Sequence, residues 1–240
     1  VSVSLFTIKK GRRLLLLCVI YMAFISLGLP DSLLGAAWPA MRADLGAPIE
    51  LAGALAMICS GGTILSSLMS TRLIRRFGTG RVTLFSVVLT AVALVGYALA
   101  PAPWVFLLCA IPLGLGAGGV DTALNNYVSL HYAAKHMSWL HCFWGVGATT
   151  GPLILSACMA AHQGWRTGYF IIIGIQAMLV VILAVSLPLW HKRTREDASA
   201  PDAESAPIMT NTQALRLPGI KAVIATFFCY CAVESSTSLW

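Results

Sequence analysis

The chain has 240 residues, of which 58% are hydrophobic and only 10% charged. A soluble domain carries about 25% charged residues, so this composition excludes a water-soluble enzyme; with a mean hydropathy of +0.82 it describes a multi-pass membrane protein. The net charge of +7 is spread over several short segments. No single basic domain gathers it, which removes nucleic acid as a partner.

A membrane-spanning helix needs about 20 predominantly apolar residues. Six such spans are read at 14–40, 49–70, 81–100, 104–130, 138–160 and 167–189, and a seventh begins near residue 220. The seventh meets the last residue, Trp240, so the sequence reads as the first part of a longer protein. The opening KKGRRLLLLCVIYMAF imitates a signal peptide. It lacks a clean small-residue cleavage site and its apolar run is too long, so it is taken as a retained first span.

In the first span, Gly28, Asp31, Gly35 and Trp38 share a stripe, with Pro30 just ahead of the acid. A proline in a helix frees a carbonyl and often marks a kink beside a cavity. The second span leads into TRLIRRFGTGRV (71–82), read as a basic loop. In the fourth, GLGAGGVDTALNNY places Gly114, Gly118, Asp121 and Asn125 on one face. Gly119, Thr122 and Asn126 form an adjoining face. The glycines read as sites of close helix packing. The acid needs another explanation, because an ionisable side chain at the bilayer centre costs about 2.5–3.5 kcal/mol on insertion scales.

The fifth span contains WLHCFWGVGATTGP, in which His141 lies near Gly145 and Pro152, and Trp144 near Gly147 and Gly151. An indole face stacks well on sugar C–H groups, and a histidine either meets a solute or satisfies a packing contact. Trp104, Trp165 and Trp190 stand at span ends and read as interfacial belt residues. Residues 191–219 form a polar, Ala-, Pro- and Ser-rich tether. The organisation is thus a six-helix bundle over 1–190, an inter-half loop over 191–219 and the start of span seven over 220–240. On that last span Tyr230, Glu234 and Thr237 share a face.

Acids followed by Ser or Thr recur at Asp31-Ser32, Asp121-Thr122 and Glu234-Ser235, in spans one, four and seven. Transporters built from repeats carry binding groups at equivalent places. Burial away from charge favours the protonated form of a carboxyl, which suits Asp31, Asp121 and Glu234 to carrying protons. Fourteen Lys and Arg residues fall on one side of the membrane, and only Arg42 and Arg166 on the other. The positive-inside rule then puts the N-terminus and the 191–219 loop in the cytoplasm. The seven cysteines are scattered, Cys229 and Cys231 point to different helix faces, and no metal-ligand or nucleophilic constellation appears. No cofactor is expected, and the protein is not read as an enzyme.

The 71–82 segment resembles the signature between helices two and three of the major facilitator superfamily, with Arg76, Gly78 and Arg81 in register. Thr71 and Arg75 stand where that signature has Gly and Asp. The resemblance implies an all-α membrane fold of 3+3 inverted repeats, with Arg72, Arg76, Gly78 and Arg81 in a cytoplasmic gating loop. Within the superfamily the chain looks most like the fucose permease-like group of proton-coupled sugar porters. Gly28 with Asp31, the run GLGAGGVDTALNNY, and YCAVESS in span seven carry that likeness. Asp121 replaces a longer Glu, Asn126 a proline, and Trp144 falls where that group has an asparagine.

The likeness implies sugar–proton symport in the cytoplasmic membrane by a monomer. Asn125, Asn126, His141, Trp144 and Tyr230 would meet the solute. A rival motif is GATTGP (147–152), which resembles helix five of drug/proton antiporters and implies efflux.

Overall fold

The computed structural model describes residues 2–197, 213 and 215–239, with side chains for 11–190, 213, 215–233 and 236. The described residues fall into two units, one ending at His191 and the other beginning at Lys192. All regular structure among them is helical. The first unit holds α1 (Ser2–Asp31), α2 (Leu33–Leu45), α3 (Leu51–Phe77), α4 (Thr79–Leu99), α5 (Pro103–His131), α6 (Ala134–Ala160) and most of α7 (Trp165–Asp197). Among the described residues, six stretches are long and apolar enough to cross a membrane, with α1 and α2 together making the first. The second unit contains α8 (Ile220–Leu239).

Local chemistry sets the element ends. Pro30 brings no N–H, and α1 stops one residue later at Asp31. The turn at Ser32 is tied down, since its Oγ donates to the Ala148 carbonyl of α6 at 2.7 Å. The first span is therefore two helices with a break between them, where the sequence places a kink. Its helix also runs to Leu45, so Asp44, expected in a loop, sits in the last turn. Pro103 opens α5 at its first turn, where a missing N–H costs nothing.

The expected loop at 71–82 is almost absent. Helix α3 runs to Phe77, α4 starts at Thr79, and Gly78 alone joins them. Its φ of 81° and ψ of 154° belong to a region essentially restricted to glycine. Arg75 and Arg76 thereby occupy the last turn of α3, where a positive charge complements the helix dipole.

Glycines set the helix pairing. Helix α1 packs on α6, and α3 on α5. Gly147 and Gly151 of α6 face the backbone carbonyls of Ile25 and Leu29 on α1; Gly114 and Gly118 of α5 face those of Cys59 and Thr63 on α3. A β-carbon at any of the four would strike an oxygen, so the close-packing reading of the α5 glycines holds. The two pairings are counterparts: the first span of each triplet packs on the second span of the other. That is the relation two inverted three-helix units produce.

Two apolar clusters fill the first unit, and both correct the tryptophan assignment. Trp165 is 4% exposed and meets Tyr169 and Phe106 edge-on. Trp190 is 3% exposed, donates from Nε1 to Ser186 Oγ at 3.2 Å and packs on Tyr127. Neither is a belt residue, because each indole N–H has a protein acceptor and each ring has aromatic neighbours. Trp104 is 60% exposed.

Candidate functional site

Asp31 ends α1 at the break and is exposed. Across the α1–α6 seam, Trp144 Nε1 donates to Asp31 Oδ2 at 2.8 Å. The reach is short because Gly28, one turn back on α1, lies against the Trp144 carbonyl and lets the two backbones approach. Cys59 of α3 lies within electrostatic reach of the same carboxylate. Residues from α1, α3 and α6 thus converge at this level.

Asp121 is half-buried on α5, and Asn125, one turn on, donates from Nδ2 to its Oδ1 at 2.8 Å. Beside them Thr122 Oγ1 donates to Ser67 Oγ of α3 at 3.0 Å. Val120 lines a small cavity with Ser26 and Leu27 of α1. The same cavity is also bordered by Pro30, the neighbour of Asp31.

The remaining candidates are more scattered. Asn126 is exposed, and its carbonyl accepts from Ser129 Oγ at 2.8 Å. His141 is exposed and meets Phe24 edge-on, ring centroids 6.0 Å apart. Tyr230 of α8 is 57% exposed and lies near the Phe227 ring. Glu234 and Thr237 fall on the helical backbone of α8, but their side chains lie outside the described residues. Arg72, Arg76 and Arg81 are exposed around Gly78, with the Arg76 guanidinium 5.4 Å from the Phe77 ring centre.

Two polar groupings escape the motif reading. At the far end of α2, Asp44 pairs with Arg166, and Trp165 Nε1 donates to the same carboxylate at 3.2 Å. The Arg166 guanidinium also covers the Trp165 ring at 4.4 Å and reaches the Ala100 carbonyl. The second grouping joins Ser26 of α1 to Gln176 of α7. A usable signal existed for it, since Gln176 is the single amide side chain in span six. Among the described residues no group of three His, Cys, Asp or Glu side chains is arranged to hold a metal.

The family model described as Major Facilitator Superfamily matches residues 15–240. The transporter mfs1 of Schizosaccharomyces pombe is 27% identical over 112 residues, covering 40% of this chain and 21% of the relative. The efflux pump DEP3 of Fusarium langsethiae is 28% identical over 81 residues, 32% of this chain and 15% of the relative. An uncharacterized MFS-type transporter of Mycobacterium tuberculosis is 25% identical over 156 residues, 63% of this chain and 22% of the relative. The chain thus matches no more than about a fifth of the length of these curated relatives. The family match, by contrast, runs through all six spans and into α8, and the chain belongs to the major facilitator superfamily.

Proposed function

We propose that the full-length protein is a secondary transporter that couples the movement of a small polar solute, of the sugar class, to protons. The observation that carries this reading is the exposed Asp31 carboxylate held by the Trp144 indole. An acid kept at membrane depth, with an indole N–H donating to it, has a site for a proton and an adjacent aromatic face for a solute. Asp121 with Asn125 supplies a second acid in the spans. Asp31, Asp121 and Glu234 are the proposed proton carriers. Asn125, Asn126, His141, Trp144 and Tyr230 are the proposed solute contacts, and the arginines about Gly78 form the gating element on the cytoplasmic face. The asymmetry of Lys and Arg supports a cytoplasmic N-terminus in the plasma membrane.

A second reading is proton-driven efflux. It draws on the likeness to an efflux pump and on GATTGP at 147–152. The two readings diverge in the direction of proton movement.

The full-length protein is expressed in de-energised cells, and external pH is followed on adding L-fucose and a panel of other sugars. Alkalinisation with one sugar is expected, abolished in Asp31→Asn and Asp121→Asn but retained in Glu204→Gln. No pH change with any sugar, at confirmed surface expression, sinks the symport reading. Resistance to amphipathic toxic compounds that needs Asp31 would then favour efflux.

A further inference from the structure

Pro30 cannot donate a backbone hydrogen bond, so the carbonyl four residues earlier, that of Ser26, loses its helix partner. Inside a bilayer an unmet carbonyl is costly, and neighbouring helices commonly satisfy it. Here α7 does so. Gln176 Nε2 donates to Ser26 O at 2.9 Å, and Ser26 Oγ donates back to Gln176 Oε1 at 2.6 Å. Both residues are buried, at 1% and 3% exposure. A small cavity bordered by Ser26, Pro30, Thr90 and Gln176 lies at the same place.

An apolar residue would suit position 176 if packing were its whole task, as at most of its neighbours in span six. The amide answers the specific vacancy that Pro30 creates. Asp31 follows Pro30 directly, so the course of the chain at the vacancy sets where that carboxylate projects. Around Asp31, Trp144 of α6 donates to it and Cys59 of α3 lies within electrostatic reach.

We propose that Gln176 is the positioning residue for Asp31: its side-chain amide caps the Ser26 carbonyl that Pro30 leaves open, and so fixes the break at which Asp31 projects. The functional meaning of this role rests on the reading of Asp31 as a proton carrier; the cap itself does not.

The test is a double-mutant cycle on the purified full-length protein: wild type, Gln176→Leu, Pro30→Ala and the double variant. Two readouts need no solute. One is the unfolding temperature. The other is carbodiimide labelling of protonated Asp31 across pH, read by peptide mass spectrometry, with the Asp121 peptide as internal reference.

Gln176→Leu is expected to lower the unfolding temperature by about 2–6 °C. It should also move the labelling midpoint of Asp31 by about half a pH unit or more, with Asp121 unmoved. In the Pro30→Ala background both effects should fall to less than half, because an amide at position 30 then meets the carbonyl. Ser26→Ala, which spares the carbonyl bond, should leave the Asp31 midpoint in place and serves if Pro30→Ala does not fold.

Equal effects in both backgrounds overturn the cap. A lowered unfolding temperature with an unmoved Asp31 midpoint overturns the positioning role, as does a Ser26→Ala shift as large as that of Gln176→Leu. If the wild type moves no solute with protons, the transport reading falls while these readouts still decide the role of Gln176.

Discussion

Trp144 and Asp31 are joined by one hydrogen bond, indole N–H to carboxylate oxygen at 2.8 Å, across the seam between α6 and α1. A donor on a carboxylate stabilises its charged form, and such charge-assisted bonds are worth about 1.5–3 kcal/mol. The bond ties the Asp31 carboxylate to α6.

Trp144→Phe keeps the ring and removes the donor. If the proposed proton coupling runs through Asp31, the pH profile of uptake should change, while Phe143→Leu, which leaves the donor in place, should not change it. A pH profile of uptake in vesicles checks this. An unchanged profile in Trp144→Phe would contradict a role for the bond.

Gly147 and Gly145 lie on one helix, two residues apart, and should respond oppositely to a methyl group. A β-carbon at 147 meets the backbone of Ile25, while one at 145 meets nothing within 4 Å. Gly147→Ala should destabilise by about 1–3 kcal/mol, the usual range for overpacking. Gly145→Ala should be neutral or stabilising by up to about 1 kcal/mol. Thermal unfolding of the two variants in one detergent compares them directly.

Gly78→Ala places a β-carbon on a backbone at φ 81° and ψ 154°. A residue held there costs on the order of 1–3 kcal/mol. The loss should appear as a lower unfolding temperature, and Thr79→Ala, one residue away on ordinary helix, should not reproduce it.

The Asp44–Arg166 pair has side chains 45% and 40% exposed. Exposed pairs contribute about 0–1 kcal/mol, so Arg166→Met should cost little, and less still at high salt. A double-mutant cycle with Asp44→Asn measures the coupling. A value well above 1 kcal/mol would mean that the membrane or the indole stack shields the pair from solvent.

Much of this was legible in the sequence because the bilayer imposes length and polarity rules that act span by span. The six spans and the break at Pro30 follow from apolar run length and one proline. What the sequence could not give were relations between spans. Apolar run length does not distinguish a belt indole from a buried one at Trp165 or Trp190; the distinction rests on Asp44 and Tyr127 arriving from elsewhere in the fold, with Ser186 one turn back on α7 accepting from Trp190. The same holds for Ser26 and Gln176, 150 residues apart. The 71–82 segment misled for a different reason. Its arginines look like a loop, yet a helix end tolerates them, and one glycine suffices to turn the chain.

The glycine seams also bear on how the molecule can deform. Where two helices meet through side chains, rotamers adjust and one helix slides past the other by small steps. At Gly147 and Gly151 along α1–α6, and at Gly114 and Gly118 along α3–α5, main chain meets main chain, and a carbonyl has no rotamer to change. Each pair is then a stiff strut, resisting shear along its length until a whole glycine step is crossed. Compliance is left to the contacts made by long side chains, and any rocking during a transport cycle would carry these struts as intact pieces.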